Sequence, residues 1–105
     1  MSIISGTTLL AGTFGAGVFR STDGGLTWTA ATTQPTNLNI YSLTASGTTL
    51  FAGTAGAGVF RSTDGGLTWT ATSTQPTDLS IYSLAASGTT LLAGTSTAGI
   101  WRYPL

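Results

Sequence analysis

The stretch Ser21-Thr22-Asp23-Gly24-Gly25-Leu26-Thr27-Trp28 decides how this chain folds, and it returns unchanged at residues 62–69. One β-prone run, residues 17–21, enters this STDGGLTW motif, and another, residues 26–29, leaves it. Asp-Gly between two such runs is a strong hairpin signal, because Asp tolerates and Gly favours a positive φ. The Asp carboxylate can also accept hydrogen bonds from backbone N–H groups of its own turn. Each copy of the motif therefore predicts a β-hairpin.

The motif belongs to a repeat of 41 residues. Residues 6–46 and 47–87 are identical at 34 of 41 positions, and a third, partial copy begins at residue 88. Self-similarity at a fixed period of this length indicates a repeat architecture. Each repeat is predicted to form four strands, which in the complete copy cover residues 42–46 (with 40 and 41 leading in), 49–53, 58–62 and 67–72. No segment has helical periodicity, so an all-β chain is predicted.

The pattern Ser-x-Asp-x-Gly-x-Thr-Trp resembles the Asp-box, which occurs in sialidases, some other glycoside hydrolases and sortilin-type receptors. The resemblance implies a β-propeller of four-stranded blades, in which each box is the hairpin between the third and the outermost strand. In that family the box lies on the periphery, away from the ligand face, and its role is structural. The residues to which this role transfers are Ser21, Asp23, Gly25, Thr27 and Trp28, with Ser62, Asp64, Gly66, Thr68 and Trp69.

A period of 41 residues fits one antiparallel four-stranded blade, so residues 1–105 are predicted to form a single repeat domain. Its blades are blade 1 (about 1–32), blade 2 (about 40–73) and a partial blade 3 (about 81–105). Adjacent apolar residues, such as Leu50 with Phe51, favour sheets that are covered on both faces, as in a propeller. A β-solenoid is the competing repeat fold, but its coils are shorter.

The strand count predicts self-association. The sequence supplies eleven strands, in an arc of three blades that lacks one outer strand. Three blades cannot close a propeller, and each end of the arc would leave on the order of 350 Å² of flat sheet uncovered. We therefore expect cyclic symmetry to complete the ring, either as a homodimer with six blades or as a homotrimer with nine.

The charge inventory excludes several functions. Charged residues make up 6% of the chain, the net charge is zero, and Lys, Glu, His and Cys are absent. Nucleic acid is not expected as a partner, because its affinity comes largely from basic residues on phosphates. An ordinary general base and an activated nucleophile are also missing, so we expect no enzyme, no metal and no cofactor. The nucleophilic Tyr–Glu pair of sialidases has no counterpart, because Tyr41 and Tyr82 have no Glu partner.

The function predicted from these features is that of a self-assembling symmetric scaffold. The near-identity of the repeats is typical of recent amplification or of a designed protein. The alternative is a binding module, either lectin-like or protein-binding. It would use the loops between the second and third strands and between successive blades, and the carbohydrate would be a neutral glycan. Its candidate ligand-binding residues are Gln34, Asn37, Gln75 and Asp78.

Arg20, Arg61 and Arg102 occupy one equivalent position per repeat, where contact with the neighbouring blade is favoured over a ligand role. The sequence shows no signal peptide and no apolar run that approaches 18 residues, so a membrane is not an expected partner. The compartment stays open, although the resemblance is to mostly secreted or lumenal proteins.

Overall fold

The computed structural model describes residues 2–5, 8–35, 38–73, 75, 80–97 and 99–104. Across these ranges the chain forms three antiparallel sheets. The first sheet contains β1 (Ser2–Ser5), β2 (Thr8–Gly12), β3 (Val18–Ser21) and β4 (Thr29–Ala30). The second contains β5 (Ile40–Ser46), β6 (Thr49–Thr54), β7 (Val59–Ser62) and β8 (Thr70–Ala71). The third contains β9 (Ile81–Ser87), β10 (Thr90–Thr95) and β11 (Ile100–Pro104).

In each sheet, neighbouring strands are also consecutive along the chain, as the repeat predicts. The all-β class and the antiparallel sheets of three and four strands are thereby confirmed. Within the described ranges there is no helix, and so none that is long and apolar enough to cross a membrane.

The predicted outer strand at residues 67–72 is wrong in length, because β8 contains only Thr70 and Ala71. The residues before Thr70 belong to the turn of the motif. The backbone N–H of Thr68 donates to the Asp64 carboxylate, at 2.9 Å, and so it is not available to a neighbouring strand. Pairing with β7 therefore begins only at Thr70, opposite Arg61, and continues at Ala71, opposite Phe60.

The three sheets pack face to face, and their first strands lie at the same side, with β5 against both β1 and β9. One core lies between the first and second sheets and includes Leu10, Val18, Leu50 and Trp69. A second core lies between the second and third sheets and includes Phe51, Val59, Ile81, Leu91 and Ala93. Alternation along β6 sends Leu50 into the first core and Phe51 into the second. Both faces of the central sheet are therefore buried, as the adjacent apolar residues predict.

Candidate functional site

The motif hairpin of the second sheet is held together by the side chain of Asp64. Its Oδ1 accepts hydrogen bonds from the backbone N–H of Thr68, at 2.9 Å, and from the Ser62 hydroxyl, at 2.8 Å. Its Oδ2 accepts one from the Thr68 hydroxyl. The Ser62 Oγ in turn accepts the N–H of Gly66 at 3.0 Å, and the Trp69 Nε1–H donates to the Gly66 carbonyl at 3.0 Å. Ser62, Asp64, Thr68 and Trp69 thus all form hydrogen bonds within their own turn.

The first copy of the motif repeats this network. Asp23 accepts hydrogen bonds from the Thr27 hydroxyl, the Thr27 backbone N–H and the Ser21 hydroxyl. These donors stabilise the ionised carboxylate, with the Thr27 hydroxyl contributing most, and they lower the pKa of Asp23 from 3.8 to about 2. The Thr68 hydroxyl and its neighbours lower the pKa of Asp64 by the same mechanism, also to about 2.

Acid is expected to weaken both hairpins. A carboxylate whose pKa is lower in the folded chain than in the unfolded chain stabilises the fold above the unfolded value and loses that contribution as the pH falls through the folded value. The melting temperature should therefore decline as the pH falls from about 4 to about 2, the window set by the two pKa values. Replacing both carboxylates, by Asp23→Asn with Asp64→Asn, should flatten the decline in a pH series of thermal melts. An equally steep decline in the double variant would contradict this assignment.

The two hairpins have the same internal structure but different surroundings. Trp69 is buried between the first and second sheets, with 2% of its surface exposed, whereas Trp28 is 40% exposed. Leu67, in the second hairpin, is likewise less exposed than Leu26 in the first, at 39% against 85%. The second hairpin packs against the preceding sheet, and the first hairpin presents the same residues at the outer face of the first sheet.

The surface that receives the second hairpin lies on the first sheet. A Cβ placed on Gly66 would lie 2.5 Å from Cδ2 of Leu10, so the hairpin and the first sheet are in close contact at this glycine. Beside it, the Arg20 Nε–H donates to the carbonyl of Gly65 at 3.3 Å. We call Leu10 and Arg20 the motif-receiving site of the first sheet. The expected contact of this arginine with the neighbouring repeat is thereby observed.

The repeat places the same site on the other two sheets, 41 residues further along the chain each time. In the second sheet it consists of Phe51 and Arg61, and in the third sheet of Leu92 and Arg102. Phe51 and Arg61 border one open cleft, and Arg102 borders another. A cleft of about 150 Å³ is lined by Ser46, Thr49, Phe51, Arg61, Tyr103 and Pro104. A cleft of about 310 Å³ is lined by Thr90, Arg102 and Pro104.

Two of the four candidate ligand-binding residues have structural contacts. The side-chain amide of Gln34 accepts the Val18 N–H at 2.8 Å and donates to the Val18 carbonyl at 2.9 Å. Gln75 makes the same pair of bonds with Val59, both at 2.8 Å. Each glutamine thus fastens a connection between sheets to the start of a third strand. Asn37 and Asp78 lie outside the described residues.

A row of aromatic rings was not predicted from the sequence. Phe14 stacks on Tyr41 with ring centroids 5.9 Å apart, and Tyr41 contacts Tyr82 at 5.1 Å. Both tyrosines lie at register shifts of their strands, and bulges of this kind re-aim a side chain. Phe14 and Tyr82 are 74% and 56% exposed. The row joins Phe14, from the connection between β2 and β3, to one strand residue of each of the other two sheets, so only the packing of the sheets brings it together.

The acidic residues do not form a metal site in the part of the chain that the structure describes, where no cluster of three His, Cys, Asp or Glu side chains occurs.

The comparison with protein families decides the classification of the fold. The model of the DUF6242 β-propeller domain matches residues 9–103. The chain belongs to the DUF6242 β-propeller family. We call its three sheets, in chain order, the first, second and third blades. The predicted propeller is thereby confirmed.

A solved structure agrees with this family assignment. The chain is similar to the computationally designed Ika4 protein, with a TM-score of 0.77 and 11% sequence identity. The alignment covers 99% of the DUF6242-family chain and 64% of the Ika4 chain. At this identity the likeness concerns the fold alone. No curated protein matches the sequence.

Proposed function

We propose that this chain is a self-assembling β-propeller scaffold without catalytic activity, and that its STDGGLTW motif is an Asp-box with a structural role. Copies of the chain associate by packing the motif hairpin of the first blade onto the motif-receiving site of the third blade. One observation carries the proposal. Inside the chain, the motif hairpin of the second blade packs on the motif-receiving site of the first blade. The counterparts of these two surfaces, on the first and third blades, are exposed.

The first half is the motif hairpin of the first blade. Its sequence is identical to that of the buried hairpin, and its internal hydrogen bonds are the same. Gly25 has a φ of 91°, against 89° for Gly66, so the two turns share one backbone shape. Where Gly66 has Leu10 of the preceding blade beside it, the neighbours of Gly25 are Leu9 and Trp28 of its own blade. The surface is therefore preformed for a partner blade.

The second half is the outer face of the third blade. Leu92 is the repeat counterpart of Leu10, and Arg102 that of Arg20. Ile100, the counterpart of the buried Val18, is 75% exposed on the same face. In the assembled ring, Leu92 packs against Gly25 and Trp28, and Arg102 donates to the Gly24 carbonyl. Covering the apolar side chains of this face stabilises the assembly, because buried apolar area contributes about 25 cal/mol per Å².

Closure follows from the cyclic relation between the two surfaces. Each chain offers one hairpin and one receiving face, so the contact is head-to-tail and generates a ring where the rotation closes. Three blades per chain give six blades in a dimer or nine in a trimer. The absence of Lys, Glu, His and Cys from the sequence supports a scaffold rather than an enzyme. The near-identity of the repeats supports amplification or deliberate construction.

Native mass spectrometry and light scattering test the assembly. We expect a single discrete species of two or three times the chain mass of 10.6 kDa. A compact monomer at high micromolar concentration would contradict the proposal, and so would an open series of masses, because a closed ring has one size.

A second candidate function, the binding of a neutral carbohydrate, is favoured by the exposed aromatic row of Phe14, Tyr41 and Tyr82. Aromatic side chains combine a large apolar face with, in tyrosine, a polar hydroxyl. No charged residue belongs to the row, which suits an uncharged ligand. Under this function a glycan array should return binders that are lost in Tyr82→Ala while the native mass is unchanged. An array at background level would remove this candidate.

A further inference from the structure

Each motif contains an Asp-Gly peptide bond, at Asp23–Gly24 and at Asp64–Gly65. In such a bond the glycine nitrogen can attack the aspartate side chain, because glycine has no side chain that hinders the approach. We infer that both bonds are sites of isoaspartate formation, and that the folded motif and the first blade slow this reaction at Asp64. The contacts concerned lie within one chain, so the inference does not depend on ring closure.

The reaction rearranges the peptide bond and needs no co-reactant other than water. The backbone nitrogen of Gly65 forms a bond to Cγ of the protonated Asp64 carboxyl, and the hydroxyl leaves with the amide proton as one water molecule. Water then opens the resulting succinimide ring at either carbonyl carbon, which gives aspartate or isoaspartate. In isoaspartate the backbone is one atom longer and the free carboxylate lies on Cα. Asp64 is exposed, so water reaches the ring.

The hydrogen bonds of the motif oppose closure of the ring. A planar five-membered ring requires an eclipsed angle about the Cα–Cβ bond of the aspartate, which side chains avoid. In the folded hairpin the carboxylate oxygens of Asp64 accept hydrogen bonds from the Thr68 backbone N–H, the Thr68 hydroxyl and the Ser62 hydroxyl. Rotation towards the Gly65 nitrogen breaks these bonds. They also lower the pKa of Asp64 to about 2, so the protonated form that loses water is scarce.

The first blade adds a second restraint on this hairpin. The Arg20 Nε–H donates to the carbonyl of Gly65, the residue that supplies the attacking nitrogen, at 3.3 Å. A Cβ on the next residue, Gly66, would lie 2.5 Å from Cδ2 of Leu10. A Cβ on Gly24 of the first hairpin would meet nothing within 4 Å. The two Asp-Gly bonds have the same sequence around them, so a difference in rate between them measures the effect of packing.

The test follows both sites in one molecule. Trypsin cleaves after arginine and so leaves the two aspartates in different fragments, residues 21–61 and 62–102. The intact chain is incubated at mildly acidic pH, then unfolded and digested, and isoaspartate in each fragment is quantified by reversed-phase chromatography and electron-transfer mass spectrometry. The reference is the free peptide of residues 62–69. We expect Asp64 in the folded chain to react at least about tenfold more slowly than in the peptide, because the hairpin must open first. In urea the two rates should be equal.

Two variants separate the two restraints. Thr68→Val removes a hydroxyl that bonds the carboxylate and should accelerate the reaction at Asp64 by about tenfold. Arg20→Met removes the donor from the first blade and should accelerate it by about fivefold. Thr27→Val is the matched control, because it makes the same change in the first motif and should accelerate the reaction at Asp23 alone. A variant that unfolds the chain would accelerate both sites, so a local effect is recognised by its restriction to one.

Three results would overturn the inference. The first is an Asp64 rate in the folded native chain that equals the rate in the peptide. The second is an unchanged Asp64 rate in both Thr68→Val and Arg20→Met, in samples whose far-UV circular dichroism shows that the fold is retained. The third is a lack of isoaspartate at both sites in the urea-unfolded chain.

Discussion

Trp69→Ala should lower the free energy of unfolding by about 3–5 kcal/mol, the usual cost of truncating a buried aromatic residue. Trp69 is 2% exposed, packs in the core that contains Leu10 and Leu50, and donates a hydrogen bond to the Gly66 carbonyl. Its loss would leave a cavity between the first and second blades. Urea denaturation followed by far-UV circular dichroism measures the change.

Trp28→Ala is the matched control for this experiment, because the two tryptophans lie in identical motifs. Trp28 is 40% exposed, so its truncation should cost the isolated chain less than about 1 kcal/mol. Measured at a concentration low enough for monomers, equal losses in the two variants would contradict the different packing of the two hairpins. At higher concentration, Trp28→Ala should also weaken the proposed ring, in which this side chain becomes buried.

Leu92→Asp should convert the proposed ring into monomers. In that assembly Leu92 occupies the place that Leu10 has inside the chain, against the glycine and tryptophan of a motif hairpin. An aspartate at this position would have to be desolvated in an apolar contact, and because residue 92 lies opposite Arg102 in the register, it would also draw that guanidinium away from the Gly24 carbonyl; the combined cost is about 3–5 kcal/mol. That cost corresponds to a loss of about 10²- to 4 × 10³-fold in association constant. Native mass measured over a dilution series would show it.

The control for Leu92→Asp adds the same charge away from the interface. Thr48 is exposed in the turn between β5 and β6 of the central blade, so Thr48→Asp should leave the native mass unchanged. If Leu92→Asp retains the oligomeric mass, the receiving face of the third blade is not the contact surface. If both variants dissociate, the effect is one of general charge repulsion rather than of the proposed contact.

Local chemistry made much of this fold predictable. The motif specifies its own hairpin, because Asp64 finds its donors within four residues, and such contacts form whatever the rest of the chain does. The period of 41 residues predicts the strand number and the sheet order for the same reason, since each strand pairs with its neighbour in sequence. The outer strand was overestimated, because the motif turn consumes the Thr68 N–H that pairing would need.

The contacts of the candidate ligand-binding residues could not be predicted from local chemistry. In the sequence Gln34 and Gln75 are candidate ligand-binding residues of the alternative function; in the structure their amides bond Val18 and Val59, each 16 residues away. The glutamines reach these valines only because the segment after the fourth strand runs back beside the start of the third strand. The aromatic row likewise requires three blades to stack, since Phe14, Tyr41 and Tyr82 belong to the first, second and third blades.

The sequence by itself determined the repeat, the hairpins and the all-β class, because these depend on turn chemistry and on pairing between neighbouring segments. Only the tertiary structure decided which copy of an identical motif is buried. Trp28 and Trp69 have the same eight-residue context, yet one is 40% exposed and the other 2%. The physical reason is that burial depends on the blade that lies in front of each hairpin, and in the part of the chain that the structure describes only the second hairpin has one.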